Sequence, residues 1–296
     1  LFRSCFHSAF AQNPEAEALL ASGDAYCRGY SFQEAVDAYR QAMAAASDTT
    51  QKSAIGEKLL KAQNGLSMAG FCSQPTVVDR RRFSLEDFFL YYPLEDRSWR
   101  AVPNQLDSVG GNRFETAVYF PSDAAHMYYS APDEDGIRNM YQTHYKDSVW
   151  TAPELINEQL TTTSDEIFPL VSPDGKHLYF SSEGLYGMGG YDLYVSRWNE
   201  ETGDWDVPEN LGFPYSSPYD DFLFMNTPDG KYSIFSSNRG CGADSVCIYV
   251  LEYDGMPVRK TIDDVAELRE LCRLTPTGDK TRFDNGSAVG NAGSGD

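Results

Sequence analysis

The chain has 296 residues, room for one large domain or two modest ones, and 14% of them are aromatic, a share that suits pleated strands. Its 44 acidic residues outnumber 24 basic ones, for a formal charge of −20, which sets it against a phosphate backbone and against a nucleic-acid partner. No apolar run reaches the ~18 residues of a membrane span.

Residues 1–12, "LFRSCFHSAFAQ", read as the end of a secretory signal, with Ala9 and Ala11 placed as a cleavage site before Gln12. The charged part of such a signal would precede Leu1. Lipidation at Cys5 is one rival, which Arg3 fits badly, and an ordinary N-terminal segment is another. From 13 to 72 the apolar spacing is helical. Leu20, Gly23 and Tyr26 line one helix; Ala35, Tyr39 and Ala42 line the next, after a break at Gly29–Ser31. Gly23 and Ala35 would allow a close helix crossing, with Tyr26 and Tyr39 both buried beside it. A third helix is expected over 50–68. The first two helices resemble a tetratricopeptide repeat, except that Ser47-Asp48 stands where the consensus has its helix-breaking Pro. One repeat cannot bury its own face, so this one must lean on the next domain or on a partner.

Short aromatic strands punctuated by Pro, Asp and Gly then take over, expected from 83 to 258. "SPDGKHLYFSS" returns as "TPDGKYSIFSS", each a turn that Pro and Gly permit, followed by a strand. Three blocks overlay at a period of roughly 51–55 residues. Tyr129, Phe180 and Phe235 fall in register on the second strands, as do Tyr141, Tyr194 and Tyr249 on the third. Trp150 and Trp205 each precede a Pro at the block's end, and Trp99 with Pro103 marks a fourth, partial copy. The fold class is therefore mainly β with an α-helical N-terminal segment. Its β part is a β-propeller, with four blades or as part of a larger ring; a sandwich is the alternative. The stretch 259–296 is expected to hold one helix and a Gly/Ser-rich tail.

"SPDGKHLYFSS", "GGYDLYVS" and the Trp-x-x-Pro-x-Asn-Leu ending resemble the WD40-like, TolB-type propeller repeats of envelope proteins that carry an N-terminal tetratricopeptide segment. The resemblance covers about 83–253. It implies a non-enzymatic scaffold in the periplasm or at the outer membrane, whose partners are other envelope proteins, including an outer-membrane or secretion complex. It implies no cofactor.

No residue is assigned a catalytic, cofactor-binding or metal-binding role. Adjacent Asp220 and Asp221 would point to opposite faces of a strand and serve as hydrogen-bond acceptors at its entry. Residues 132–136, "PDEDG", lack the remaining ligands of a calcium loop and read as a polar turn. His126, His144 and His177 have no partner at metal-ligand spacing. The enzymatic alternative is a propeller-based glycosidase or peptidase, whose mark would be acidic residues converging on a pocket. In the repeat, Cys247 stands where the previous block has Asp192. Asp192 is expected to accept hydrogen bonds from its glycine loop, and Cys241 with Cys247 to replace that pin by a disulfide. Two unlinked thiols are the rival, and zinc a weak one.

Overall fold

The computed structural model describes residues 13–94, 97–100, 117–122 and 125–277. The expected signal remnant with Cys5, Pro103 and the Gly/Ser-rich tail lie outside the described residues. Three helices lead: α1 (Pro14–Arg28), α2 (Phe32–Ala45) and α3 (Thr49–Met68). Asn13 caps α1 by accepting from the Glu15 amide at 3.1 Å, with Pro14 opening the helix and two glutamates in its first turn. Asp48 caps α3 through the Gln51 amide at 2.8 Å. That explains Ser47-Asp48: the residue in place of the consensus Pro starts the third helix.

The close crossing is present. Any Cβ at Gly23 would run into the Tyr39 ring, which lies 2% exposed and donates its hydroxyl to Asp24 at 2.7 Å. Tyr26 corrects the expectation, for it is 43% exposed. Three residues turn a helix by about 300°, so Tyr26 lies about 60° round α1 from Gly23, at the rim of the seam that Tyr39 fills.

The strands are β1 (Val77–Ser84), β2 (Ser98–Arg100), β3 (Val118–Phe120), β4 (His126–Pro132), β5 (Arg138–Lys146), β6 (Val149–Trp150), β7 (Glu154–Leu155) and β8 (Glu166–Val171). Then come β9 (His177–Ser182), β10 (Asp192–Asn199), β11 (Asp204–Trp205), β12 (Glu209–Asn210), β13 (Asp221–Asn226), β14 (Tyr232–Ser237) and β15 (Ser245–Glu252). Among the described residues they form three antiparallel sheets. The first runs β2-β3-β4-β5-β6 with β7 also on β5, and the second runs β8-β9-β10-β11 with β12 also on β10. The third is β13-β14-β15-β1, so the earliest strand is the outer edge of the last sheet. β1 opens at Val77, ahead of the expected start at 83.

The repeat register holds. Tyr129 pairs with Tyr141 across β4–β5, Phe180 with Tyr194 across β9–β10 and Phe235 with Tyr249 across β14–β15. These are the second and third strands of the last two sheets, whereas in the first sheet β2 adds a strand ahead, so the pair lies on the third and fourth. Their rings stack at 5.9, 5.7 and 5.4 Å between centroids. The turns repeat too: Gly175 and Gly230 sit at φ 70° and 67°, the left-handed region the Pro-Asp-Gly turn requires. β8 and β13 carry the same bulge, with Phe168 and Leu223 at positive φ. The fourth, partial copy makes no sheet of its own among the described residues. Phe88–Tyr91 is a short 3-10 turn, and Trp99 lies on β2, an edge of the first sheet. Phe88, Phe89 and Trp99 are buried in the core between sheets, Trp99 while also pairing with Tyr119 across β2–β3.

Repeated side-chain ties join successive sheets. Asp165 accepts from the Arg138 amide at 2.9 Å, and Asp220 from the Tyr191 amide at 3.3 Å. A last helix, α4 (Val265–Arg273), buries Leu268 and Cys272 against Tyr30, Phe32 and Phe213. The helical segment thus leans on the sheets and on the C-terminal helix.

Candidate binding cleft and the buried polar network behind it

The Pro-Asp-Gly turns come together at one end of the sheets, because each joins the first two strands of its sheet. Two adjoining cavities open there and share Ser172, Pro173 and Pro228 in their walls. The larger, about 400 Å³, is lined by Arg97, Tyr119, His126, Tyr128, Pro173 and Pro228 among others. The second, about 270 Å³, is lined by Asp174, His177, Tyr179, Asn226 and Tyr253 among others.

The turn geometry fixes these side chains. The Ser172 hydroxyl is bonded to Asp174 and accepts from the His177 amide at 2.9 Å. The first of those bonds holds the Asp174 carboxyl below the usual range, and the Lys176 amide adds to it. Asn226 donates to the Tyr179 hydroxyl at 3.1 Å, and burial pushes that phenol well up. Arg97 donates to the Tyr119 hydroxyl at 3.3 Å. The cleft offers phenols, imidazoles, a guanidinium and one carboxylate, Asp174. That set can stack and hydrogen-bond a partner; a glycosidase would need a second carboxyl facing the first.

Three buried carboxyls stand away from the cleft walls: Glu166, Asp192 and Asp221, each fully buried. Glu166 accepts from the Thr162 and Ser182 hydroxyls at 2.7 and 2.9 Å. Asp192 holds the glycine loop as expected, accepting from the Met188 and Gly189 amides at 2.9 Å each. Burial nevertheless pushes its carboxyl up to about 7. From the other side Lys61 and Asn64 of α3 donate to the Gly189 and Gly187 carbonyls at 2.6 and 2.8 Å. The loop is clamped between helix and sheet, and Gly189 also lies so close to the Tyr219 and Ser217 carbonyls that no side chain fits.

Asp220 and Asp221 do face apart. Asp220 ties sheets together, whereas Asp221 forms a buried ion pair with Arg239 and accepts from Ser217 at 2.8 Å. Arg239 also donates to the Pro214, Tyr215 and Cys272 carbonyls, so it joins β14 to the segment after β12 and to α4. Sequence reading missed it, since its partner is eighteen positions away and is met only through the β13–β14 pairing.

Residues 132–136 form the turn between β4 and β5, with the Asp135 and Ile137 amides donating to Asp133 at 2.9 and 3.0 Å. His126 and His144 are cross-strand neighbours with rings edge to face at 4.6 Å; strand pairing, not spacing, brings them together. His177 stacks on Tyr179 in the cleft. Cys241 and Cys247 are thiols with their sulfurs 3.0 Å apart.

No protein-family model matches the chain, and no curated protein matches it. Among solved structures, the crystal structure of TolB from Acinetobacter baumannii is similar to it at a TM-score of 0.28 and 20% identity. The match covers 40% of this chain and 25% of that one. At that TM-score the likeness is weak and carries no argument about fold or function.

Proposed function

We propose that this chain is a non-enzymatic protein-binding scaffold of a bacterial cell envelope. On this reading the three sheets are blades of a β-propeller, of four blades or part of a larger ring, behind a tetratricopeptide-like segment. Its place is the periplasm or the outer membrane, and its partners are other envelope proteins, in an outer-membrane or secretion complex. The observation that carries the reading is the cleft at the turn end, walled by tyrosines, prolines and imidazoles, with Asp174 as the one carboxylate among its described lining residues. Aromatic, rigid, hydrogen-bonding surfaces of this kind suit protein contact.

The test uses the intact chain as bait in an envelope extract, beside a Tyr128→Ala/His177→Ala variant. Capture of a defined protein by the first, lost by at least ~10-fold in the second with an unchanged melting temperature, is the expected result. Turnover of a glycoside or peptide that disappears in Asp174→Asn would replace the scaffold by the hydrolase.

A further inference from the structure

The strand pairs β4–β5, β9–β10 and β14–β15 are each joined by a loop, and one register position governs all three loops. It is Asn139 in the first sheet, Asp192 in the second and Cys247 in the third, paired with Ala131, Ser182 and Ser237. Each residue stands two places before the tyrosine of its stacked aromatic pair and reaches into its own loop. Asn139 donates to Asp133 at 3.1 Å. Asp192 accepts from two loop amides at 2.9 Å. Cys247 meets the sulfur of Cys241 at 3.0 Å and, from outside the loop, the Arg82 guanidinium of β1, and a thiol is a weak hydrogen-bonding group that holds a loop poorly. The sulfurs lie roughly 1 Å short of a bond, whose length is about 2.05 Å.

We propose that Cys241 and Cys247 are an oxidation site, and that a disulfide between them pins the β14–β15 loop as Asp192 pins its counterpart. Cys247 is buried and Cys241 is partly exposed, so Cys241 meets the oxidant, a disulfide of a small thiol or of a thiol oxidoreductase. Arg82, opposite Cys247 on β1, sets its guanidinium beside both sulfurs and partly offsets the rise of the Cys241 thiol. The Cys241 thiolate, its proton lost to solvent, attacks the oxidant's disulfide. A bond from Cys241 Sγ to one oxidant sulfur forms, and the other sulfur leaves as a thiolate. Cys247 then gives up its proton and attacks Cys241 Sγ, expelling the second thiolate. The protein loses two electrons and two protons, and the oxidant's disulfide becomes two thiols. Burial and the neighbouring thiol push Cys241 up to about 11, so the first attack should quicken as pH rises.

The experiment equilibrates the full chain with oxidised and reduced glutathione, unfolds it in an alkylating agent and maps its peptides. The expected product links Cys241 to Cys247 with a loss of two hydrogens, while Cys27, Cys72 and Cys272 are alkylated. Proteolysis within 242–246 should slow about tenfold on oxidation, and Cys241→Ser should abolish that dependence without touching the buried Cys247. Two alkylated thiols at equilibrium, or glutathione held on Cys241 beside a free Cys247, would overturn the proposal. So would a linked pair whose loop is cut as fast as before.

Discussion

At Asp192 two backbone amides favour the charged carboxylate while complete burial favours the neutral acid, and burial is the larger influence. Asp221 nearby adds to the push and Lys61 opposes it. The folded carboxyl, at about 7, therefore sits above its ordinary value. Between the two values the folded protein holds a proton that the unfolded chain releases. Stability from this group is thus fully present below the ordinary value and is lost as pH rises through about 7, the reverse of an ion-paired aspartate. Asp192→Asn cannot titrate. The stability of the native chain relative to this variant should therefore fall between about pH 5 and about pH 8 in thermal melts. A difference that is flat across this range would show that Asp192 stays ionised. The amides were legible beforehand, because an Asp just after a glycine loop is a ready acceptor; the burial was not, since it depends on which helix lies above.

Among elements, the α1–α2 crossing gives the clearest contrast between two tyrosines that one spacing rule treated alike. Tyr39 fills the space above Gly23 and is bonded to Asp24, whereas Tyr26 is largely in solvent. Tyr39→Ala should cost roughly 3–4 kcal/mol in denaturant unfolding, in the range of large aromatic truncations. Tyr26→Ala should cost under ~1 kcal/mol, as surface substitutions do. Equal losses would mean that the helices pack through a different seam. The strands were more legible than the helices' exact faces. A period of two, a Pro-Asp-Gly turn and an aromatic at a fixed offset leave little freedom of register, and all three aromatic pairs fell as spaced, although β2 adds a strand ahead of the first. The stretch around Trp99 misled for the opposite reason: its aromatics obey the repeat's composition but serve the core.

The whole molecule is tied together at points far apart in the chain. Lys61 and Asn64 grip the glycine loop, Cys72 and Lys260 exchange two backbone hydrogen bonds, and β1 edges the last sheet. All 4 tryptophans lie on strands, at Trp99, Trp150, Trp198 and Trp205. Tryptophan fluorescence therefore reports the sheets, and far-UV circular dichroism is dominated by the helices. In the native chain the two transitions should coincide, as expected for one cooperative unit. Lys61→Ala/Asn64→Ala leaves two loop carbonyls without their donors, at about 1–3 kcal/mol for a buried one, and should make the dichroism transition precede the fluorescence one. Coincident transitions in that variant would show that the remaining ties, the Cys72–Lys260 bridge and the α4 contacts among them, suffice to couple the parts.

By itself the sequence determined what is local: the helical lead, the repeated turn–strand unit, the register of its stacked aromatics and the Asp192 pin. Each rests on neighbours within one helix turn or one hairpin, where spacing and turn chemistry are sufficient. Only the tertiary structure decided the rest: the exposure of Tyr26, the Asp221–Arg239 pair, the cleft shared by two turns, and β1 as the edge of the last sheet. Those depend on which distant surfaces meet, and no spacing along the chain encodes the distance between residues that pairing and burial bring together.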